Sequence, residues 1–277
     1  MDFSKRFEKW LCRIEAALSA VLPPESRRPA VLHRAMRYSV MSGGKRLRPL
    51  LCLAAADAVG GDVRQALKPA VAVELFHTYT LVHDDLPCMD DDDFRRGRPT
   101  VHRVFGEANA LLAGDALQAL AFEVLAGARP AGRLVLELAC AAGSAGVVGG
   151  QVEDLAANPE KVDEATVRYI HQHKTADLFG AAVRMGALSG GARAADLKAL
   201  AEYARCLGLA FQIVDDVLDG VAGKPSELSC LAVYDAATAR RKARRLRDRA
   251  LAGLRRFPAR RRAALEDMVW FAVDREH

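Results

Sequence analysis

The sequence predicts an all-α fold, on three observations. Alanine and leucine dominate, while Phe, Trp and Tyr together make up only 6%, so strong helix formers outnumber the residues that favour strands. Apolar residues recur at helical spacing, as in the stripe Leu200, Tyr203, Ala204, Leu207, Ala210, Phe211 and Val214. No segment alternates convincingly with period two. With no repeat, low-complexity tract or linker, residues 1–277 read as a single helical domain of about ten helices.

The breaks between segments fix the order of the elements. A charged, amphipathic start, MDFSKRFEKWLC, leads to Pro23-Pro24. The next segment ends at Ser42-Gly43-Gly44, and Pro49 suits the first turn of the helix that follows. Gly60-Gly61-Asp62 precedes the apolar helix VAVELFHTYTLVH, which should end near Asp84 and Asp85 because Pro87 disfavours its continuation. Breaks follow at Gly127 to Gly132, Asn158-Pro159 and Ser189-Gly190-Gly191. The uncharged run Leu138 to Gly150 reads as a tightly packed internal helix, too short to span a bilayer. The helix containing GLAFQIV should stop at Gly220, and Gly220 to Pro225 separates it from basic C-terminal helices.

Composition narrows the functional classes. Hydrophobic residues are 51% and charged residues 27% of a 30.0 kDa chain, an ordinary soluble balance. The charged start does not read as a secretory signal. Cys12, Cys52, Cys88, Cys140, Cys206 and Cys230 form no C-x-x-C pair, which favours free thiols in a cytoplasmic protein over disulfides or zinc. The net charge of +5 is concentrated in ARRKARRLRDRALAGLRRFPARRRAA. Without an aromatic platform or a nucleic-acid motif, this run reads as a solvated helix face rather than a nucleic-acid site.

The chemistry lies in two acidic motifs. His83-Asp84-Asp85-Leu86-Pro87-Cys88-Met89-Asp90-Asp91-Asp92-Asp93 crowds carboxylates at the end of an apolar helix, where they repel unless cations or solvent neutralise them. Asp90 would return from the following loop. Asp215-Asp216-Val217-Leu218-Asp219 ends a second apolar helix, with Asp215 and Asp219 on one face. Carboxylates at a helix C-terminus oppose the macrodipole unless a cation compensates. The two clusters read as opposing walls of a divalent-metal site. Their oxygen-only ligands favour Mg2+, which completes its shell with water and substrate phosphates. His83 and His102 border the first motif as polar support or surface residues.

Basic groups complete the pattern. Gly43-Gly44-Lys45-Arg46-Leu47-Arg48-Pro49 sets three cations at a helix start, an arrangement suited to anions. Arg95 and Arg96 follow the acidic loop, and Lys174 lies in HQHKTADLFG. The motifs GGKRLRP, ELFHTYTLVHDDLPCMDDDDFRRGRPTVH, GGQVEDL, HKTADL and FQIVDDVLD, in that order, resemble the trans-type short-chain prenyl diphosphate synthases, the farnesyl and geranylgeranyl diphosphate synthase family. The resemblance covers roughly residues 28 to 220.

That resemblance implies an isoprenoid synthase-type bundle of long helices around a deep central cavity, usually a homodimer. It implies Mg2+ on Asp84, Asp85 and Asp90, and on Asp215 with Asp219 in support. Arg95 and Lys174 would hold the allylic diphosphate, with Gln212 nearby. Lys45, Arg48, His77 and Arg96 would hold isopentenyl diphosphate, with Thr175 and Gln151 near the reacting carbons. Catalysis would rest on Asp84, Asp85, Asp90, Lys174 and Asp215. Nucleic acid and stable membrane insertion are not expected.

Chain length should depend on the wall below the first motif. Thr80 lies one turn below Asp84, and Tyr79 about 7.5 Å below it at 1.5 Å per residue. An aromatic there, with the insertion in DDLPCMD, is similar to bacterial farnesyl diphosphate synthases, so farnesyl diphosphate is the expected product. PCMDDDD also resembles geranylgeranyl enzymes, which keeps that product as the alternative. After DDVLD the family has a longer, lysine-containing loop, shortened here, and Lys224 is a candidate replacement. A non-catalytic regulatory subunit of a prenyl synthase therefore stands as a second reading, and a terpene cyclase as a third, less in keeping with GGKRLRP.

Overall fold

The computed structural model describes residues 3–158, 160–221 and 228–274, so Lys224 lies outside the described residues. Thirteen α-helices are found among them, more than the ten expected. The N-terminal layer is α1 (Phe3–Val21), α2 (Ala30–Val40), α3 (Leu47–Ala58) and α4 (Leu67–Asp84). Then come the short α5 (Val101–Phe105), α6 (Glu107–Ala126), α7 (Ala131–Ala142), α8 (Val147–Ala156) and α9 (Glu164–Ile170). The last are α10 (Asp177–Ser189), α11 (Ala194–Val221), α12 (Ala236–Leu254) and α13 (Ala259–Val273).

Helix α4 is the axis of the bundle. Ala70, Val71, Ala72, Val73, Leu75 and Phe76 are all buried, so the helix is covered on nearly every side by α3, α6 and α10. Burying one such large apolar side chain stabilises the fold by about 1.5–3 kcal/mol. Helix α11 packs against α10 on one side and α12 on the other. Its predicted stripe is buried at Leu200, Tyr203, Ala204, Leu207, Ala210 and Val214. Tyr203 keeps its hydroxyl satisfied in the core by donating to the Leu265 carbonyl at 2.9 Å. Asp163 and Asp235 cap α9 and α12 by accepting from Thr166 and Thr238 backbone N–H groups.

Three local expectations change. Leu138–Gly150 is not one internal helix: the chain breaks at 143–146 between α7 and α8, and Ala139 and Cys140 face solvent. Gly143 and Gly146 interrupt the run, and glycine is a poor helix interior residue. The helix also does not stop at Gly220, because α11 continues to Val221. A two-residue antiparallel hairpin, β1 (Phe94–Arg95) with β2 (Arg98–Pro99), was not expected. It is closed by a turn with Arg96 and Gly97 at φ 53° and 73°, too short to leave a period-two signal.

Arg46 shows what the middle cation of GGKRLRP does. It is left-handed (φ 48°) at the start of α3 and only 2% exposed. Its guanidinium reaches Glu15 of α1 at 2.7 Å, Glu74 of α4 at 2.8 Å and the Val40 carbonyl at 2.7 Å. One side chain thereby ties three helices together, and Glu74 is neutralised where water cannot reach it.

Candidate active site

The first acidic motif forms one wall of a cavity of about 600 Å³. Helix α4 ends at Asp84 and Asp85 follows as its cap. The Asp90 backbone N–H then donates to the Asp84 carbonyl at 2.8 Å, folding the loop back over the helix end. Asp84 lines the cavity. Loss of solvent pushes its carboxyl up to about 7; Lys174 opposes the rise, and Asp90 and Asp85 add to it. Asp90 is raised for the same leading reason. Asp85 does not line the cavity: it is 3% exposed and accepts from Arg95 Nε at 2.5 Å. Arg95 also reaches Asp92 at 3.2 Å and lines the cavity itself.

The opposite wall is the end of α11. Asp215 and Gln212 line the cavity, whereas Asp219 is exposed and does not. Asp216, part of the second acidic motif but given no role of its own in the sequence reading, points inward and is 2% exposed. It accepts from Gln212 at 2.9 Å, from the Cys230 backbone N–H at 2.6 Å and from His171 Nε2 at 3.1 Å. Burial pushes Asp216 up, but these partners outweigh it and hold the carboxyl below its usual range. Asp216 thus anchors the end of α11 that carries Asp215.

Between the walls runs a π-helical turn, His171–Ala176, carrying Lys174 and Thr175 into the cavity. A wide turn of this kind adds one residue per turn and redirects side chains. Thr175 donates to Gln212 Oε1 at 2.8 Å. Lys174 is ion-paired to Asp154 of α8, a partner the sequence reading did not single out. Its only signal was a place one turn beyond Gln151 on the same helix. Burial lowers the Lys174 pKa, yet Asp154, Asp84 and Asp90 together keep it above the usual lysine value. Helix α8 approaches this turn at Gly150, where an added Cβ would meet the Lys174 backbone nitrogen at 2.3 Å.

The basic groups divide. Arg48 Nη1 donates to His77 Nε2 at 3.0 Å, and both line the cavity. Loss of solvent lowers Arg48 to about 10 and, with Arg48 beside it, holds His77 well below its usual range. His77 is therefore neutral, with its proton on Nδ1. Arg96 does not line the cavity; it lies across the glycine pair and donates to the Gly43 carbonyl. Gly44 holds φ at 130°, a backbone conformation that L side chains rarely adopt, which explains a glycine there. Lys45 is exposed, with Nζ 5.6 Å from the Phe271 ring centroid. Arg48 Nε and both polar atoms of the Gln151 amide are buried without a partner among the described residues.

Tyr79 and Thr80 line the cavity as expected. Tyr79 is 9% exposed and packs edge-on against Phe76 at 4.9 Å and His83 at 5.0 Å. Phe76 meets Phe122 of α6 at 6.5 Å. Tyr79 is thus both wall and core, backed by a second aromatic layer. His83 bonds the Leu111 carbonyl at 2.9 Å, and His102 is buried beside Thr100, so both histidines support the loop and its surroundings.

Fold and site together define a helical-bundle protein with a cavity walled by carboxylates at two helix ends and lined by cations and apolar groups. The polyprenyl synthetase family model matches residues 29–239. Geranylgeranyl pyrophosphate synthase 12, chloroplastic, of Arabidopsis thaliana is 48% identical over 232 residues, 79% of this chain and 64% of that protein. The Capsicum annuum geranylgeranyl pyrophosphate synthase is 50% identical over 200 residues, 70% of this chain and 54% of that one. The chain therefore spans less than two thirds of the length of these curated relatives. Among solved structures, an FPP/GFPP synthase from Zymomonas mobilis superposes with TM-score 0.90 at 39% identity, covering 98% of this chain and 99% of that one. The geranylgeranyl pyrophosphate synthetase of Pyrococcus horikoshii gives 0.89 at 32%, covering 99% and 98%. This chain belongs to the polyprenyl synthetase family.

Proposed function

We propose that the chain is a prenyltransferase that joins isopentenyl diphosphate head-to-tail to an allylic diphosphate. One observation carries this reading: Asp84, Asp215, Lys174, Arg48 and His77 converge on one cavity whose remaining wall is largely apolar. Arg95 and Lys174 would hold the allylic diphosphate by charge-assisted hydrogen bonds. Arg48 and His77 would orient isopentenyl diphosphate, with Lys45 and Arg96 near that end. Val147, Leu178 and Phe211 line the cavity and would keep water from a carbocation formed between them. No side-chain base stands out, because His77 already accepts from Arg48. The proton lost after condensation is therefore assigned to the departing diphosphate.

The donor set fits magnesium. Asp84, Asp90 and Asp215 offer oxygen only, and the raised pKa values of Asp84 and Asp90 mark carboxylates short of compensating charge. Among the described residues no three Asp, Glu, His or Cys groups form a ready-made cage. Magnesium needs none, since it takes one or two carboxylates and fills its shell with water and phosphate oxygens. Bound there, it would offset the negative charge building on the leaving diphosphate. Magnesium affinity should fall with pH from 8 to 6, because Asp84 is charged mainly above about 7. The loss should approach about tenfold per pH unit below that point. Calorimetric titration at the two pH values measures it, and equal affinities would remove Asp84 as the controlling ligand.

Geranylgeranyl diphosphate is the product favoured by the curated relatives, in place of the farnesyl product first expected. Tyr79, backed by Phe76, favours farnesyl as the second reading. Assays with isopentenyl diphosphate and dimethylallyl, geranyl or farnesyl diphosphate, with products dephosphorylated and weighed, decide between them. Tyr79→Ala should lengthen the product by at least one isoprene unit, and an unchanged distribution would take Tyr79 out of the wall. No product from any primer would instead bring forward a regulatory subunit.

We infer a cytoplasmic homodimer. Glu107–Ala126 is long and apolar enough to cross a membrane, the run 131–156 is as apolar but broken at 143–146, and only 33% and 28% of those windows are buried. The exposed Leu111 and Leu112 of α6 and Leu136 of α7 would be covered by a second copy. Light scattering on the purified protein tests this, with a monomer as the contrary result.

A further inference from the structure

The basic run of the C-terminal helices has no part in the cavity described above. Residues 240–249 of α12 hold seven Lys or Arg and one Asp. The side of α12 facing α9 and α11 borders a second groove, of about 290 Å³. Three helices contribute its cations, Arg168 from α9, Arg205 from α11, and Lys242, Arg245 and Arg249 from α12, and Glu164 of α9 is a carboxylate in its lining. Its apolar floor includes Leu209 and Ile213 of α11.

The charge is only partly balanced. Arg205 and Arg249 share Glu202 at 2.9 and 2.6 Å, and Lys242 is held by Glu164 at 2.8 Å. Among the described residues neither Arg168 nor Arg245 has a carboxylate within 4.0 Å, although Arg168 is near enough to help lower the Glu164 pKa. Like charges gathered around a concave, partly apolar surface repel unless an anion joins them, and such clefts focus the potential that attracts one. A purely ionic ligand would leave the floor uncovered, and a purely apolar one would leave the cations unmatched. We propose that this groove is a second ligand site, for an amphiphile with a phosphate or diphosphate head and an apolar tail.

The groove also touches the machinery of the first cavity from behind. His171 lines it and reaches Asp216 at 3.1 Å. His171 opens the π-helical turn that carries Lys174, and Asp216 precedes no loop but adjoins Asp215 directly. A ligand here therefore bears on the turn that carries Lys174 and on the Asp215 wall of the active site. The site itself does not depend on the proposed reaction; the choice of a prenyl diphosphate as probe rests on it.

The test uses the full chain, geranylgeranyl thiodiphosphate and calorimetry, with Arg168→Glu/Arg245→Glu as the variant. Both arginines are exposed, and thermal melts verify the variant's fold. In EDTA the wild type should bind one equivalent, weakened at least tenfold in the variant. Added magnesium should bring a further equivalent in both proteins; failure of that step alone counts against the prenyltransferase reading, not against the groove. Sedimentation with phosphatidylglycerol vesicles, against phosphatidylcholine, distinguishes a lipid headgroup from a free ligand. Variant-sensitive binding to either source supports the site. An EDTA-resistant equivalent that the variant retains, or no variant-sensitive binding to the thiodiphosphate or the anionic vesicles, overturns it.

Discussion

Asp84→Ala is expected to lower kcat at saturating magnesium by about a thousandfold or more, the scale on which preorganised charge at a leaving group acts. Asp84 is the one carboxylate of the first motif that lines the cavity, which Asp215 lines from the α11 end. Its neighbours do not substitute for it. Asp85 is committed to Arg95 at 2.5 Å, and Asp90, though near enough to act on Lys174, does not line the cavity. Asp85→Ala should act differently, by releasing Arg95 and raising KM for the allylic substrate more than it lowers kcat. Steady-state kinetics on both variants, with circular dichroism to verify folding, measure the contrast. Equal losses in kcat would mean that Asp85 swings into the cavity when substrate binds. A loss below tenfold in Asp84→Ala would move the ionising charge to the Asp215 wall.

Arg46→Ala is expected to cost about 3–5 kcal/mol of folding stability, the typical penalty for stranding a buried charge. Arg46 and Glu74 are each 2% exposed, and their closest approach is 2.8 Å. Burial alone would lower the Arg46 pKa, yet Glu15 and Glu74 hold it above the usual arginine value. Removing the guanidinium leaves Glu74 in the core beside no cation and frees the Val40 carbonyl that Arg46 also satisfied. A double variant, Arg46→Met with Glu74→Gln, should recover most of the loss, because the buried charge is then gone from both sides. Urea unfolding midpoints of the three proteins give the comparison. A single variant within 1 kcal/mol of the parent would show that water reaches Glu74.

Arg46 also shows where the sequence misled by omission. In GGKRLRP the three cations look equivalent, and all three suit an anion pocket. The fold sends them apart: Arg48 into the cavity, Arg46 into the core and Lys45 to the surface near Phe271. The left-handed backbone at Arg46 makes that division, and a single sequence gives no sign of a non-glycine residue in that conformation. Asp215 and Asp216 divide the same way. Adjacent residues on a helix point about 100° apart, so only one of two neighbouring aspartates faces the cavity. Which one does so depends on where α10, α12 and the π-helical turn lie.

The places of Lys174, Thr175 and Gln212 came from the family resemblance, whereas the helical fold, the two acidic helix ends and the aromatic at Tyr79 were legible from residues alone. They rest on local rules: periodicity, the restriction before Pro87, and the cost of unneutralised carboxylates at helix C-termini. Asp154 as partner of Lys174, Asp216 as anchor of the α11 end, and the basic groove behind them were not. Each depends on contacts between residues 20 or more apart in the chain, such as Lys174 with Asp154 and His171 with Asp216. The sequence determined which charges the molecule carries and at which helix ends; tertiary packing decided which of them meet, because a side chain's partner is set by the angle and distance between helices and not by its own neighbours.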